Sequence, residues 1–289
     1  MHRADTRIVL GLHRSGHRRG ALIKALDLGI DAIDTSFSYR DFTSHATLAR
    51  EVPDLLDRLT ISTKVGFFPT RDGPRHSLDP LRLRTALERT ARDLGRTPDL
   101  VFLHNPERSL RGERPDRART MLGEACAALD DAVSEGMCGA WGVASWDPSP
   151  LPALLDRTIP RPGALMVRAG LFVGIEALDA SAALAARWQV PGGALWGMSP
   201  FGGDAANVGR AGADPRLFVR DGGCSRVQAA FRVACRLPVV SALAVGADDP
   251  RHLGELLDGL RLTVDDRMIR RYVELLRSRR AAVSPAEVP

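Results

Sequence analysis

Four residues of different chemistry follow one another along the first part of this chain: Asp34, Tyr39, Lys64 and His104. A lysine buried beside a carboxylate keeps its charge, because the partner offsets the loss of water. That charge lowers the proton affinity of a neighbouring phenol, whose ordinary pKa is about 10. A tyrosine tuned this way can give a proton to a carbonyl oxygen as hydride reaches the carbon. A histidine beside it can donate a hydrogen bond that orients and polarises the same carbonyl. Taken singly, each residue has a plainer role. Asp34 would cap a strand end and Lys64 would be a solvated rim charge. Tyr39 would be core, with its hydroxyl on backbone, and His104 a satisfied structural histidine.

Composition singles out two of the four. The chain has 289 residues, and of its 40 basic side chains only Lys24 and Lys64 are lysine, leaving 38 arginines. Tyrosine is equally rare, at Tyr39 and Tyr272 alone. A GC-rich genome that writes arginine wherever charge is wanted accounts for the arginines. It leaves open why a lysine stands at position 64 and a tyrosine at 39. Arginine is larger and planar and does not replace a lysine conservatively.

The elements that must position these residues are legible as an alternation. Eight short β-like runs begin at Arg7–Gly11, Asp31–Asp34, Leu59–Thr63, Asp99–Leu103, Gly139–Ser145, Gly163–Val167, Ala194–Met198 and Ser241–Val245. Helix-like stretches follow them. Gly20–Leu28 closes at Gly29, Ser44–Leu56 is interrupted by Pro53, and Pro80–Leu94 ends at Gly95. Thr120–Ser134, Ser149–Leu155, Ile175–Arg187, Gly223–Arg236 and Pro250–Leu260 complete the set. Pro80 fits a first helical turn, where its missing N–H costs nothing.

Eight strand–helix pairs predict an α/β fold of the (β/α)8 TIM-barrel type, which needs about 250 residues. No linker or repeat divides the chain, so one domain over 1–289 is expected. Val264–Arg280 reads as an additional C-terminal helix outside the barrel, and 281–289 as a flexible tail. An open doubly wound sheet would also alternate, but no GxGxxG follows the first strand. In a barrel, reacting groups cluster at the C-terminal strand ends. Asp34, Lys64 and His104 end the second, third and fourth runs, with Tyr39 just beyond the first of these.

Other classes are excluded by composition. Apolar content of 44% with 26% charge is ordinary for a globular chain and unlike a disordered one. No apolar run approaches the roughly 20 residues that span a bilayer, and Met1–Gly16 lacks a secretory layout. The four cysteines sit singly, without metal spacing, and read as reduced thiols of a cytoplasmic protein. The net charge of +5 is dispersed, unlike the concentrated stripe of a nucleic-acid binder. A small-molecule partner is expected, with no membrane or nucleic acid.

With these residues in view, the sequence resembles the aldo-keto reductases over about Arg7–Leu260. Gly29-Ile30-Asp31-Ala32-Ile33-Asp34-Thr35-Ser36 with Tyr39 resembles the family's aspartate–tyrosine segment. Ser62–Gly66 resembles its lysine segment, and Leu103-His104-Asn105-Pro106 its histidine segment. Trp141–Trp146, Trp196–Gly203 and Val245–Ala247 with Pro250, Leu253 and Glu255 are similar to later family stretches. The resemblance implies a catalytic set of Asp34, Tyr39, Lys64 and His104, with NADPH as hydride donor and a carbonyl reduced to an alcohol. It implies cofactor contacts at Ser145, Met166, Ser199, Phe201, Gly202, Gly246, Ala247, His252 and Glu255. Phe67 and Trp146 are expected to wall the substrate pocket, with Phe68 and Phe172 open to that role or to the core.

Several positions depart from the family pattern. Met166 and Ala169 stand where a glutamine and a stacking tyrosine are usual, and Ser145 stands where asparagine is usual. At the adenosine end, Gly246, Ala247 and His252 replace residues that grip a 2′-phosphate, with Asp248 and Asp249 between them. Arg251 or Arg210 would have to compensate. NADH therefore stays open beside NADPH. An NAD-linked alcohol dehydrogenase and a non-redox nucleotide-binding regulatory barrel are the alternatives.

Overall fold

The eight apolar runs form eight parallel strands that close on themselves. They are β1 (Arg7–Gly11), β2 (Ala32–Asp34), β3 (Thr60–Val65), β4 (Leu100–His104), β5 (Trp141–Ser145), β6 (Ala164–Arg168), β7 (Leu195–Met198) and β8 (Ala242–Val245). Each pairs with the next, and β8 pairs with β1. The structure is a computed structural model that describes residues 6–13, 17–210, 212–247 and 249–283. Asp248, named above, lies outside the described residues, as does the side chain of Arg210.

Side chains alternate along a strand, so residues two apart share a face. Val9, Ala32, Phe102, Met166, Trp196 and Ala244 belong to one buried cluster, which plugs the barrel. The edge of Phe102 meets Trp196, with ring centroids 5.5 Å apart. Gly142 permits this packing, because a Cβ there would come within 2.8 Å of the Phe102 ring. Two residues further along the same faces come Asp34, His104, Arg168 and Met198, which thus rise to the mouth.

Helices surround the strands and bury their outer faces. Pro80–Leu94 starts on Asp79, whose side chain accepts from Arg82 N at 2.8 Å, and ends on Gly95 at φ 72°. The helix expected over 44–56 stops at Glu51, because Pro53 disfavours helical backbone just before it. The one expected from Thr120 begins earlier, at Pro115. The C-terminal helix spans Asp266–Val283. Residues 281–283 are therefore helical rather than tail, and 284–289 lie outside the described residues.

An antiparallel hairpin of Phe67–Thr70 and Gly73–His76 directly after β3 was not expected, nor were the short helices Tyr39–Phe42 and Glu107–Leu110, and the helix expected over Ser149–Leu155 is reduced to a turn at Pro152–Leu154. No helix among the described residues is long and apolar enough to cross a membrane. Many of the described arginines form exposed ion pairs such as Arg84–Glu135 and Arg277–Asp179, a kind worth little individually.

Candidate active site

Asp34 ends β2 and Lys64 lies one residue before the end of β3. The register pairs Asp34 with Ser62, so Lys64 stands one layer further up the mouth. Lys64 Nζ donates to Asp34 Oδ2 and, at 2.9 Å, to the Thr35 carbonyl. Ser62 Oγ donates to Asp34 Oδ1 at 2.9 Å. Lys64 is only 3% exposed and Asp34 5%. Burial works against the lysine's charge, but Asp34 and Tyr39 more than offset it, and its pKa stands above the ordinary value.

Tyr39 follows the loop after β2, and Lys64 Nζ lies 5.2 Å from the centre of its ring. Burial is the larger influence on the phenol and raises its pKa; the Lys64 charge acts downward and is smaller. The expected lowering is present but does not decide the sign. The hydroxyl keeps its proton at neutral pH.

His104 ends β4 and stands edge-on to Tyr39, with ring centroids 6.4 Å apart. Ser36 Oγ is 3.3 Å from His104 Nδ1. Burial, then the charge of Lys64, push the imidazole well below its usual value, so it is neutral. His13, beyond β1, packs on the other side of Tyr39 at 4.7 Å between centroids.

Asp34, Tyr39 and Lys64 open into a groove of about 620 Å³. Met166, Ser199, Phe201, Gly246, Ala247, His252 and Glu255 line it as well, as does Trp146. The groove thus joins the proton-bearing residues to most of the positions expected to hold a nucleotide. Ser145 and Gly202 are not among its lining. Ser145 is fully buried and donates to Glu107 Oε2 at 2.9 Å. Gly202, at φ 64°, backs onto Phe172.

Ser199 has an unusual state: its backbone is left-handed, at φ 56°, and its buried Oγ has no hydrogen-bond partner among the described residues. A buried hydroxyl without a partner is costly unless something else satisfies it. Glu255 accepts from Ser225 Oγ at 2.6 Å, and Asp249 pairs with Arg251 at 2.6 Å. Among the described lining residues, Lys64 is the only lysine or arginine.

The model of the Aldo/keto reductase family matches residues 15–171. The chain belongs to that family. Its members are oxidoreductases, and the matched span contains Asp34, Tyr39, Lys64 and His104. No curated protein matches the chain by sequence. Solved structures of aldo-keto reductases share the barrel. The holo form of one from Bacillus halodurans is 15% identical, covering 94% of this chain and 92% of its own, with a TM-score of 0.71. A glycerol dehydrogenase from Gluconobacter oxydans is 18% identical over 100% of this chain and 97% of its own, at 0.72. An aldo-keto reductase from Klebsiella pneumoniae, solved in complex with NADPH, is 18% identical over 96% of each chain, at 0.67. At these identities the likeness is one of fold.

In this aldo/keto reductase, three supports of the site went unread in the sequence. Ser62 anchors Asp34. Buried Glu107 takes hydrogen bonds from Ser145 Oγ and from the backbone N–H of Trp146 and Asp147, each at 2.9 Å, and so fixes the loop after β5. His76, on the hairpin, bonds the His104 carbonyl at 2.7 Å. Phe67 packs edge-on between His76 and His104, at 4.9 and 5.0 Å between ring centroids. Phe68 is core. The parity of β6 was the available signal for a further group: Arg168 is two residues beyond Met166 and so shares its face.

Proposed function

We propose that this chain is an NADPH-dependent reductase of a small aldehyde or ketone, with Tyr39 as general acid. The observation that carries the reading is the opening of Asp34, Tyr39 and Lys64 into one groove, with His104 against Tyr39. The Klebsiella pneumoniae relative solved with NADPH supports the choice of nucleotide. The reading takes the chain as one cytoplasmic domain, where thiols stay reduced.

A reduced nicotinamide, when bound, supplies the hydride. The orphaned Ser199 Oγ fits a phosphate or amide oxygen or N–H there. The glycines at 202, 203 and 246 leave room for close approach of a pyrophosphate. Met166, Phe201, Ala247, His252 and Glu255 line the groove and would hold the nucleotide, whereas Ser145 would act only through the loop that Glu107 fixes.

The protein's own part is proton delivery and orientation. Tyr39 carries its proton at neutral pH and can release it to the developing alkoxide. Lys64 stays charged on Asp34 and stabilises the tyrosinate that remains. Ser36 Oγ lies 3.3 Å from His104 Nδ1, and a proton on the histidine's Nε2 would orient the carbonyl. Because His104 is neutral, this role persists below pH 7.

Incubation with NADPH and a panel of aldehydes and ketones, following the absorbance of the reduced nucleotide, tests the reading. Turnover is expected. Absence of turnover together with absence of NADPH and NADH binding overturns it. One observation favours a second reading, an NAD-linked alcohol dehydrogenase. No described arginine lines the groove for a 2′-phosphate, and Arg251 is engaged by Asp249. Dissociation constants for the two nucleotides decide: a clear preference for NADPH removes it.

A further inference from the structure

We propose that the substrate carries an anionic group, a carboxylate or phosphate, held by Arg168 with Arg108 and Arg75 beside the reacting carbonyl. This rests on the reductase reading and names the substrate class of that site. The observation is a second cleft of about 860 Å³ that adjoins the groove, with Trp146 lining both.

The cleft contains four arginines, Arg75, Arg108, Arg111 and Arg168, against Glu107, Asp147 and Glu176. The three carboxylates are engaged. Glu107 holds the backbone after β5, Asp147 pairs with Arg111 at 3.0 Å, and Glu176 pairs with Arg280 at 3.3 Å. Three cations remain without a carboxylate among the described residues.

Arg168 is the best placed. It ends β6 on the face that carries Met166 into the groove. Its Nε donates to the Trp146 carbonyl at 2.7 Å, and its guanidinium lies 5.1 Å from the Trp146 ring. The stem is thereby oriented, while the terminal amines have no partner among the described residues. Planar guanidinium pairs are the usual means of gripping carboxylate and phosphate. Arg108 stacks over Phe67 at 5.6 Å, and Phe67 itself packs on His104. Arg108 thus approaches the carbonyl-orienting histidine across Phe67, while Arg168 stands on Trp146, the residue that lines both the cleft and the groove. Neighbouring His76 is neutral, its pKa lowered to about 4 chiefly by burial, so the donors around it are fixed by geometry.

The test compares matched substrates that differ in charge: succinic semialdehyde against butanal, and glyceraldehyde 3-phosphate against glyceraldehyde. At low salt, kcat/KM for at least one charged member is expected to exceed its neutral partner by about tenfold or more. Which pair shows the preference identifies carboxylate or phosphate. Arg168→Met should collapse that ratio towards one, mainly through KM, and Arg168→Lys should restore part of it. Equal rates within both pairs, or a ratio unmoved by Arg168→Met, overturn the proposal while leaving the reductase reading intact.

A second readout is independent of turnover. Succinate and inorganic phosphate are titrated against tryptophan fluorescence, with Trp146→Phe identifying the signal. A saturable change that Arg168→Met abolishes supports the anion site even in a chain that reduces no carbonyl. No saturable change with either anion overturns it.

Discussion

In one part of the site Lys64, Asp34, Ser62 and Thr35 are joined by hydrogen bonds and almost wholly buried. Elsewhere in the groove Ser199 Oγ has no partner among the described residues, and Asp249 pairs with Arg251. The first region is complete before anything binds, and its geometry does not have to reorganise when charge develops on a carbonyl oxygen. The second is completed by what it receives. Substitutions should therefore damage the two regions differently: folding and turnover together at the first, nucleotide affinity alone at the second.

Lys64→Met should have the largest effect. It leaves Asp34 buried without its cation, a loss on the order of 3–5 kcal/mol in unfolding free energy, and turnover falls with it. Urea unfolding beside steady-state kinetics measures both. Unchanged stability would mean that the pair is not a closed unit. Tyr39→Phe removes only the hydroxyl. The expected loss in kcat is about a thousandfold, with nucleotide affinity within about threefold, read by titration of the bound reduced nucleotide.

Acid sensitivity belongs to the same closed region. Behind Lys64, buried His45 bonds Thr63 Oγ1 at 2.8 Å, and its pKa is lowered to about 3, chiefly by burial. A histidine that stays neutral when folded but takes a proton near pH 6.5 when unfolded stabilises the fold fully only above that value. The contribution declines as pH falls towards 3. At about 1.4 kcal/mol per pH unit, the loss by pH 5 is about 2 kcal/mol. His45→Gln should flatten that slope in unfolding curves taken between pH 7 and 5. Ser199→Ala should do least. It should leave stability unchanged, since Oγ has no partner among the described residues, and weaken nucleotide binding by about 1 kcal/mol. A drop in stability instead would erase the contrast between the two regions.

The strands were legible because each apolar run is short and bounded by helix stops such as Gly95 and Gly136. The four reacting side chains were legible because they fall at the ends of successive runs. The hairpin was not: Pro69 and Pro74 face each other in it, and a proline in a run argues against a strand. Its paired edges satisfy the ladder around them. Glu107 was hidden for another reason. Its partners lie 38 to 40 residues away, and no local pattern links a carboxylate after β4 to backbone after β5. Arg168 was one arginine among 38 until strand parity set it beside Met166.

The scarcity of lysine also makes the molecule unusually simple to address with reagents. Lys24 is exposed on its helix, whereas Lys64 is sealed under Tyr39 and Asp34. An amine-acylating compound therefore meets one accessible side chain in the native protein. An acyl group located on Lys64 itself by peptide mass would record an excursion in which the mouth of the barrel had come apart.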